Sequence, residues 1–247
     1  MPDRRTHRGR HPEDDRLFAE AALAGLRTAV AEYSWLLSRG YAADSALKLV
    51  GDRHELTARQ RSAVMRCACP DQARADRRQR CVTWEQARGR PVGVDGYNLL
   101  ITVESALSGG LILVSRDGCC RDLASIHGTY RRVTETIPAV TLIADFLAPL
   151  GLARVDWYLD RPVSNSGRLK ALIAELLEAR AERGIGDPPW NLELVNSPDA
   201  VLAGCSDPII TSDSAVLDRC GPWLNGAAGI VTAAVPSAWK IDLAGPE

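Results

Sequence analysis

From Pro91 onward, short apolar runs alternate with stretches of helical period, and several of those runs lead into an aspartate. A chain that alternates strand and helix must return through right-handed crossovers, so it builds an α/β fold around a mostly parallel sheet. This pattern constrains the chain more than any other feature. Strands are predicted at 92–95, 111–114, 155–160, 190–195 and 208–211, with an edge strand near 229–235. Between them, a helix begins at 103–107, another runs over 139–150 to Gly151, and a long one starts after 164–167. Ser197 is the expected N-cap of a short helix with Pro198 at its first position. Residues 119–136 are polar and show no clear period.

The first 90 residues read differently. Phe18, Ala22, Leu26, Val30, Tyr33 and Leu37 recur at steps of three and four, which predicts an amphipathic helix over 17–39. Asp44 is the expected cap of a second helix ending at Gly51, and Thr57 with Gln60 forms a capping box opening a third. A polar helix over 72–80 is dense in arginine. The expected organisation is a disordered leader at 1–15, a basic helical domain at 16–90 and an α/β domain at 91–247. The helical part is too small to build a deep core alone, so it is expected to pack on the α/β domain.

Charge divides along the same line. Residues 1–90 carry 18 Lys/Arg against 12 Asp/Glu, and residues 91–247 carry 12 against 19. A basic half beside an acidic half suggests a polyanion-gripping module joined to a cation-binding one, although differing solvated helix faces would give the same balance. No run approaches the roughly 18 apolar residues of a membrane span, and the leader lacks the apolar core of a signal peptide. The odd count of seven cysteines then reads as reduced thiols in a cytoplasmic protein. A zinc site from Cys67, Cys69, Cys81 and His54 is disfavoured, because Cys67 and Cys69 have a single residue between them. The sequence leaves oligomerisation open.

In open parallel sheets the functional crevice lies at the carboxyl ends of the strands. Asp95, Asp160 and Asp213 each end a predicted strand, and Asp199 sits in the first turn of the helix before the last one. All four are expected at one edge. Clustered carboxylates repel unless a cation neutralises them, and oxygen ligands of this kind suit Mg²⁺ or Mn²⁺. Such a site can activate water for phosphodiester hydrolysis. For each aspartate singly, capping or exposure is the simpler explanation. Asp95 before Gly96 is also a common turn pair.

These residues carry a resemblance. Val94-Asp95-Gly96-Tyr97-Asn98 resembles the first motif of the NYN branch of PIN-like ribonuclease domains. Asn196-Ser197-Pro198-Asp199-Ala200-Val201-Leu202 resembles their mid-chain acid, and Ile210-Thr211-Ser212-Asp213-Ser214 their last motif. The match covers about residues 91–220. It implies a PIN-like fold and a metal-dependent nuclease, RNA being the expected substrate, with Asp95, Asp199 and Asp213 as metal ligands. The further helix acid of that family has no single equivalent here, Glu104 and Asp122 both being able to serve. Asp160 would supplement the set and Asn98 would orient a ligand or the phosphate. The whole chain also resembles the domain-of-unknown-function 434 family, through Arg39-Gly40-Tyr41, the 56–66 region, Asp95 to Asn98 with Glu104, and the 161–170 segment.

Ser164, Asn165, Ser166, Arg168 and Lys170 depart from an ordinary PIN-like pattern. Around a helix N-terminus they could hold a phosphate, or serve only as a cap with solvated basic residues. The arginines at 59–80 are expected to grip the polyanion. Two rivals stand beside the nuclease: a non-catalytic nucleic-acid or protein-binding module, and a small-molecule phosphohydrolase or phosphotransferase using the 164–167 loop. A haloacid-dehalogenase-like enzyme would need an aspartate where Tyr97 stands. No P-loop motif occurs.

Overall fold

The computed structural model describes residues 7–124 and 130–245. The first part of the chain is helical: α1 Asp14–Leu17, α2 Glu20–Ser38, α3 Ala43–Arg53, α4 Ala58–Cys67, α5 Asp71–Arg80 and the single turn α6 Trp84–Ala87. Then come β1 Pro91–Asp95, α7 Gly96–Leu107, β2 Ile112–Val114, β3 Cys120–Asp122, α8 Thr136–Leu147, β4 Arg154–Asp160 and α9 Ser166–Glu182. The chain ends with β5 Trp190–Val195, α10 Pro198–Ala203, β6 Ile209–Ile210, α11 Ser214–Leu217, β7 Trp223–Leu224, α12 Gly226–Ala234 and β8 Lys240–Asp242.

Five strands form one wholly parallel sheet in the order β5-β4-β1-β6-β7. The chain moves outward from β1 through β4 to β5, then crosses back to β6 and β7 on the other side. The order therefore reverses at β1, which opens a crevice between the carboxyl ends of β1 and β6. Val92 and Val94 of β1 are fully buried against the α7, α8 and α12 side, with Trp157 and Leu159 of β4. The opposite side is closed by Leu202, Val216 and Leu217 against Ile209 and Trp223.

A second, three-stranded sheet runs β3-β2-β8, antiparallel on one side and parallel on the other. It covers the helical region: Leu111, Leu113, Ile241 and Leu243 share a core with Leu26, Val30, Val50 and Val64. The helical half closes its core with strands from beyond residue 90, as its small size requires.

Several local expectations change. Residues 229–234 are not an edge strand but the greater part of α12, in which Gly229 packs close to Phe146 and Trp84. The edge is β7. The helix after β1 starts at Gly96 rather than at 103, and α3 is capped by Ala42, with Asp44 in its first turn. The leader also has defined contacts where it is described. Arg8 pairs with buried Glu104 and lies 5.1 Å from the centre of the Tyr130 ring. His7 contacts Glu135 at 2.6 Å, and α1 begins at Asp14. The rest of the leader, and 125–129 of the unperiodic 119–136 stretch, lie outside the described residues. Among the described residues, no helix is long and apolar enough to cross a membrane.

Candidate functional site

Gly96 sets the geometry of the site. A Cβ there would collide with the Trp157 indole nitrogen and lie 2.5 Å from the Tyr158 carbonyl oxygen. Only glycine lets α7 begin directly at the end of β1 while packed on β4. Asp95 is thereby held at the crevice floor, and Asn98 in the first turn of the helix.

Asp95 is buried, and the Thr211 hydroxyl donates to its Oδ2 at 2.8 Å. Burial is the main cause that lifts the Asp95 pKa to about 7; Thr211 opposes it, and the charges of Asp213 and Asp199 add to it. Asp199 is at the exposed rim, its pKa raised by partial desolvation and then by Asp213. Asp160, half-buried at the end of β4, is raised by burial and then by Asp199. The four aspartates thus form one electrostatic group at a single sheet edge.

They do not form a cage. Among the described residues, no three His, Cys, Asp or Glu side chains stand close enough together to hold a metal ion unaided. Asp213 Oδ1 caps α11, accepting from the Ala215 and Val216 N–H groups at 2.8 and 3.1 Å. Its Oδ2 makes no hydrogen bond among the described residues.

Asn98 bridges the two sides of the crevice. Its Oδ1 accepts from the Ser212 N–H at 2.9 Å and from the Ser212 hydroxyl at 2.8 Å. Behind Ser212, Arg121 donates to the Ser212 carbonyl at 2.7 Å and forms two bonds to Asp117 at 2.8 and 2.7 Å. Arg77 of α5 reaches the same Asp117 at 2.5 Å and Asp218 at 2.6 Å. Burial works to raise the Asp117 pKa, but the charges and hydrogen bonds of the two arginines outweigh it and hold it at about 2. A buried arginine–aspartate–arginine chain therefore ties the helical region to the segment that presents Asp213.

A cleft of about 420 Å³ opens beside this segment, lined by Tyr97, Asn98, Asp122, Asp213, Arg66 and Arg121. Asp122, the alternative to Glu104 as the helix acid, lines it, and Thr102 donates to its Oδ2 at 2.9 Å. Glu104 is elsewhere in its bonding. It is fully buried and accepts from Tyr130 at 2.5 Å, from Thr136 at 2.6 Å and from Arg8, so both of its oxygens serve packing.

The 164–170 loop is also occupied structurally. The Ser166 hydroxyl is buried between Tyr97 at 2.8 Å and the Asp160 and Val163 carbonyls. Asn165 adopts φ 72° and donates to the Tyr130 carbonyl at 3.0 Å. Ser164 and Arg168 are exposed and Lys170 half-buried.

Most of the arginines expected to face a polyanion face the protein. Arg59 pairs with Asp14, Arg61 with Asp52, Arg77 with Asp117 and Asp218, and Arg80 caps carbonyls of Leu217 and Cys220. Arg59 and Arg61 brace the helical region itself, while Arg77 and Arg80 hold the joint with the α/β part. Arg66 and Arg121 alone among these neighbours line the cleft. His54 contacts Glu32 at 2.8 Å, while Cys67 and Cys69 are buried thiols.

Thr211, Ser212 and Tyr97 lie inside the recognised motifs, which assign them no role. Arg121 and Asp117 are hidden in stretches without periodicity, and only their long-range pairing marks them.

No solved structure matches the chain. An uncharacterized protein of Methanocaldococcus jannaschii is 28% identical over 153 residues, covering 62% of this chain and 73% of that one. Residues 25–80 match the family described as a protein of unknown function, DUF434. Residues 84–228, more than half of the chain and all of the crevice, match the domain of unknown function DUF5616, and the chain belongs to that family.

Proposed function

We propose that the protein is a metal-dependent phosphodiesterase of PIN-like type that cleaves nucleic acid, with RNA the expected strand. One observation carries the reading: Asp95 is a buried carboxylate at the topological switch point, raised to about 7 by burial with Asp213 and Asp199 adding to it. An arrangement that penalises its own charge is suited to a cation.

The donors fit Mg²⁺ or Mn²⁺. These ions keep several waters and take one or two carboxylates plus substrate phosphates, so they do not require three grouped acids. Asp95 and Asp213 would hold the ion, with Asp199 and Asp160 at the rim acting through water. When bound, such an ion lowers the pKa of water and neutralises charge developing on phosphate oxygens. The chain's own residues do the positioning. Asn98 and Thr211 fix the two carboxylate-bearing segments relative to each other. Arg66, whose side chain stays partly exposed, sets positive charge in the lining of the cleft, where a phosphate would sit. The exposed Asp199 carboxylate is placed to accept a proton at the rim.

The absence of three closely grouped acids among the described residues favours one alternative, a non-catalytic module that keeps the crevice for binding. Incubating the protein with Mn²⁺ or Mg²⁺ and single-stranded RNA, structured RNA or DNA separates the two. The nuclease reading expects cleavage that EDTA abolishes and that falls at least 100-fold in Asp95→Asn and Asp213→Asn. Equal activity in wild type and variants, or activity surviving chelation, overturns it.

A further inference from the structure

We infer that the substrate is a single strand that continues past the carboxylates into a second cleft on the helical region, making α4 part of the binding track. This deepens the nuclease reading and rests on it. The second cleft, of about 490 Å³, is lined by His11, Glu13, Thr57, Arg59, Ser62 and Leu123. It shares a wall with the cleft beside Asp213: Met65 and Arg66 line both. Each space is large enough for a nucleotide-sized group.

The shared wall has the chemistry of a base–phosphate–base path. Met65 is 48% exposed at this ridge, an unbranched apolar side chain left out of the core although α4 buries Val64 and Cys67 beside it. It offers an apolar face to a base on either side. Arg66 is fixed by donating to the Asp122 and Ala124 carbonyls at 2.9 and 3.3 Å, yet its side chain keeps 34% of its exposure. A rigid guanidinium between two clefts is placed for the phosphate linking two groups. Adjacent pockets with apolar and cationic parts suit unstacked bases on a flexible backbone, the pattern of single-strand binding. A duplex keeps its bases stacked and cannot fill both.

Ala58 and Ser62 lie on the second cleft only, one turn apart on α4, with Ala58 exposed and Ser62 half-buried. Glutamate at both is compatible with the helix and adds two negative charges to that cleft alone. The test compares cleavage of a three-nucleotide and a nine-nucleotide single-stranded RNA in Mn²⁺ by wild type and the Ala58→Glu/Ser62→Glu variant, with melting temperature as the folding control. The expected result is at least a tenfold higher kcat/KM for the longer RNA in wild type. In the variant this advantage shrinks to within twofold, while the short RNA is cleaved as before. Excess unlabelled nine-nucleotide strand should inhibit, and its duplex should not.

If the short RNA is cleaved but the length advantage is absent, or persists in the variant, the second cleft is not on the track and the nuclease reading stands. Equal inhibition by duplex overturns the single-strand assignment. No cleavage of either RNA by wild type overturns both readings together.

Discussion

The Thr211 hydroxyl donates to Asp95 Oδ2 at 2.8 Å and accepts the Asp213 backbone N–H at 3.0 Å, so one side chain sets the spacing of the acid that ends β1 and the acid that caps α11 after β6. Thr211→Val keeps the shape and removes both bonds. A neutral hydrogen bond contributes about 1 kcal/mol and one to a charged group about twice that, so stability should fall modestly. Mn²⁺ affinity should fall by about tenfold, corresponding to roughly 1.4 kcal/mol. Calorimetric titration of the variant beside wild type checks this.

Asp95 makes the metal-free protein less stable than it could be. Its folded pKa of about 7 lies above the unfolded value of 3.8, so the folded state holds more protons between them. Stability therefore declines as pH rises from about 4 to 7, and the deficit is complete above the folded pKa. Asp95→Asn should raise the unfolding free energy measured by urea denaturation in EDTA at pH 8, by an amount of order 1–4 kcal/mol. Added Mn²⁺ should stabilise wild type and leave the variant unmoved.

Asp117 has the opposite sign. Its folded pKa is depressed to about 2 by Arg121 and Arg77, against an unfolded 3.8. Its contribution is present above 3.8 and is lost as pH falls toward 2. Asp117→Asn should cost roughly 3–5 kcal/mol at pH 7, because it leaves two buried guanidinium groups short of a counter-charge. Urea unfolding at pH 7 and pH 3 should show the difference between wild type and variant narrowing in acid.

Glu104 and Asp122 should separate cleanly. Glu104 is enclosed by Arg8, Tyr130 and Thr136, whereas Asp122 lines the cleft beside Asn98 and Asp213. Asp122→Asn should lower metal-dependent cleavage with little change in fold. Glu104→Gln should lower the melting temperature and leave kcat of the folded fraction within a few-fold of wild type. Arg8→Ala, which strips a buried carboxylate of its cation, should cost roughly 3–5 kcal/mol.

The parallel sheet and the placing of the aspartates along its carboxyl edge were legible because both arise from local pattern: apolar runs, a strand-ending acid, and the return of each strand to the same edge. The helix that carries Asp199 was announced by Ser197 and Pro198, whereas Asp213, expected to end a strand, caps the short helix α11 instead. The features that escaped depend on contacts distant in sequence. Residues 229–235 have enough apolar character for a strand, and the burial of Ala227, Ile230 and Val231 along one helix face in the core is not visible in so short a run. The arginines of α4 and α5 looked like a polyanion surface because composition does not reveal partners. Arg77 finds Asp117 forty residues on and Asp218 much further. Glu104 was one of two residues that could stand for the helix acid, while its partners lie at Arg8, Tyr130 and Thr136.

Whether Asp95 and Asp213 together hold a divalent cation can be measured without any assumption about substrate. Mn²⁺ is titrated into the protein and the free ion is read by its electron paramagnetic resonance. Asparagine at 213 can still cap α11, so that variant isolates the ligand role from the fold. Wild type should show a saturable site that weakens at least tenfold in Asp95→Asn and in Asp213→Asn. No saturable binding, or equal affinity in all three proteins, would contradict the assignment.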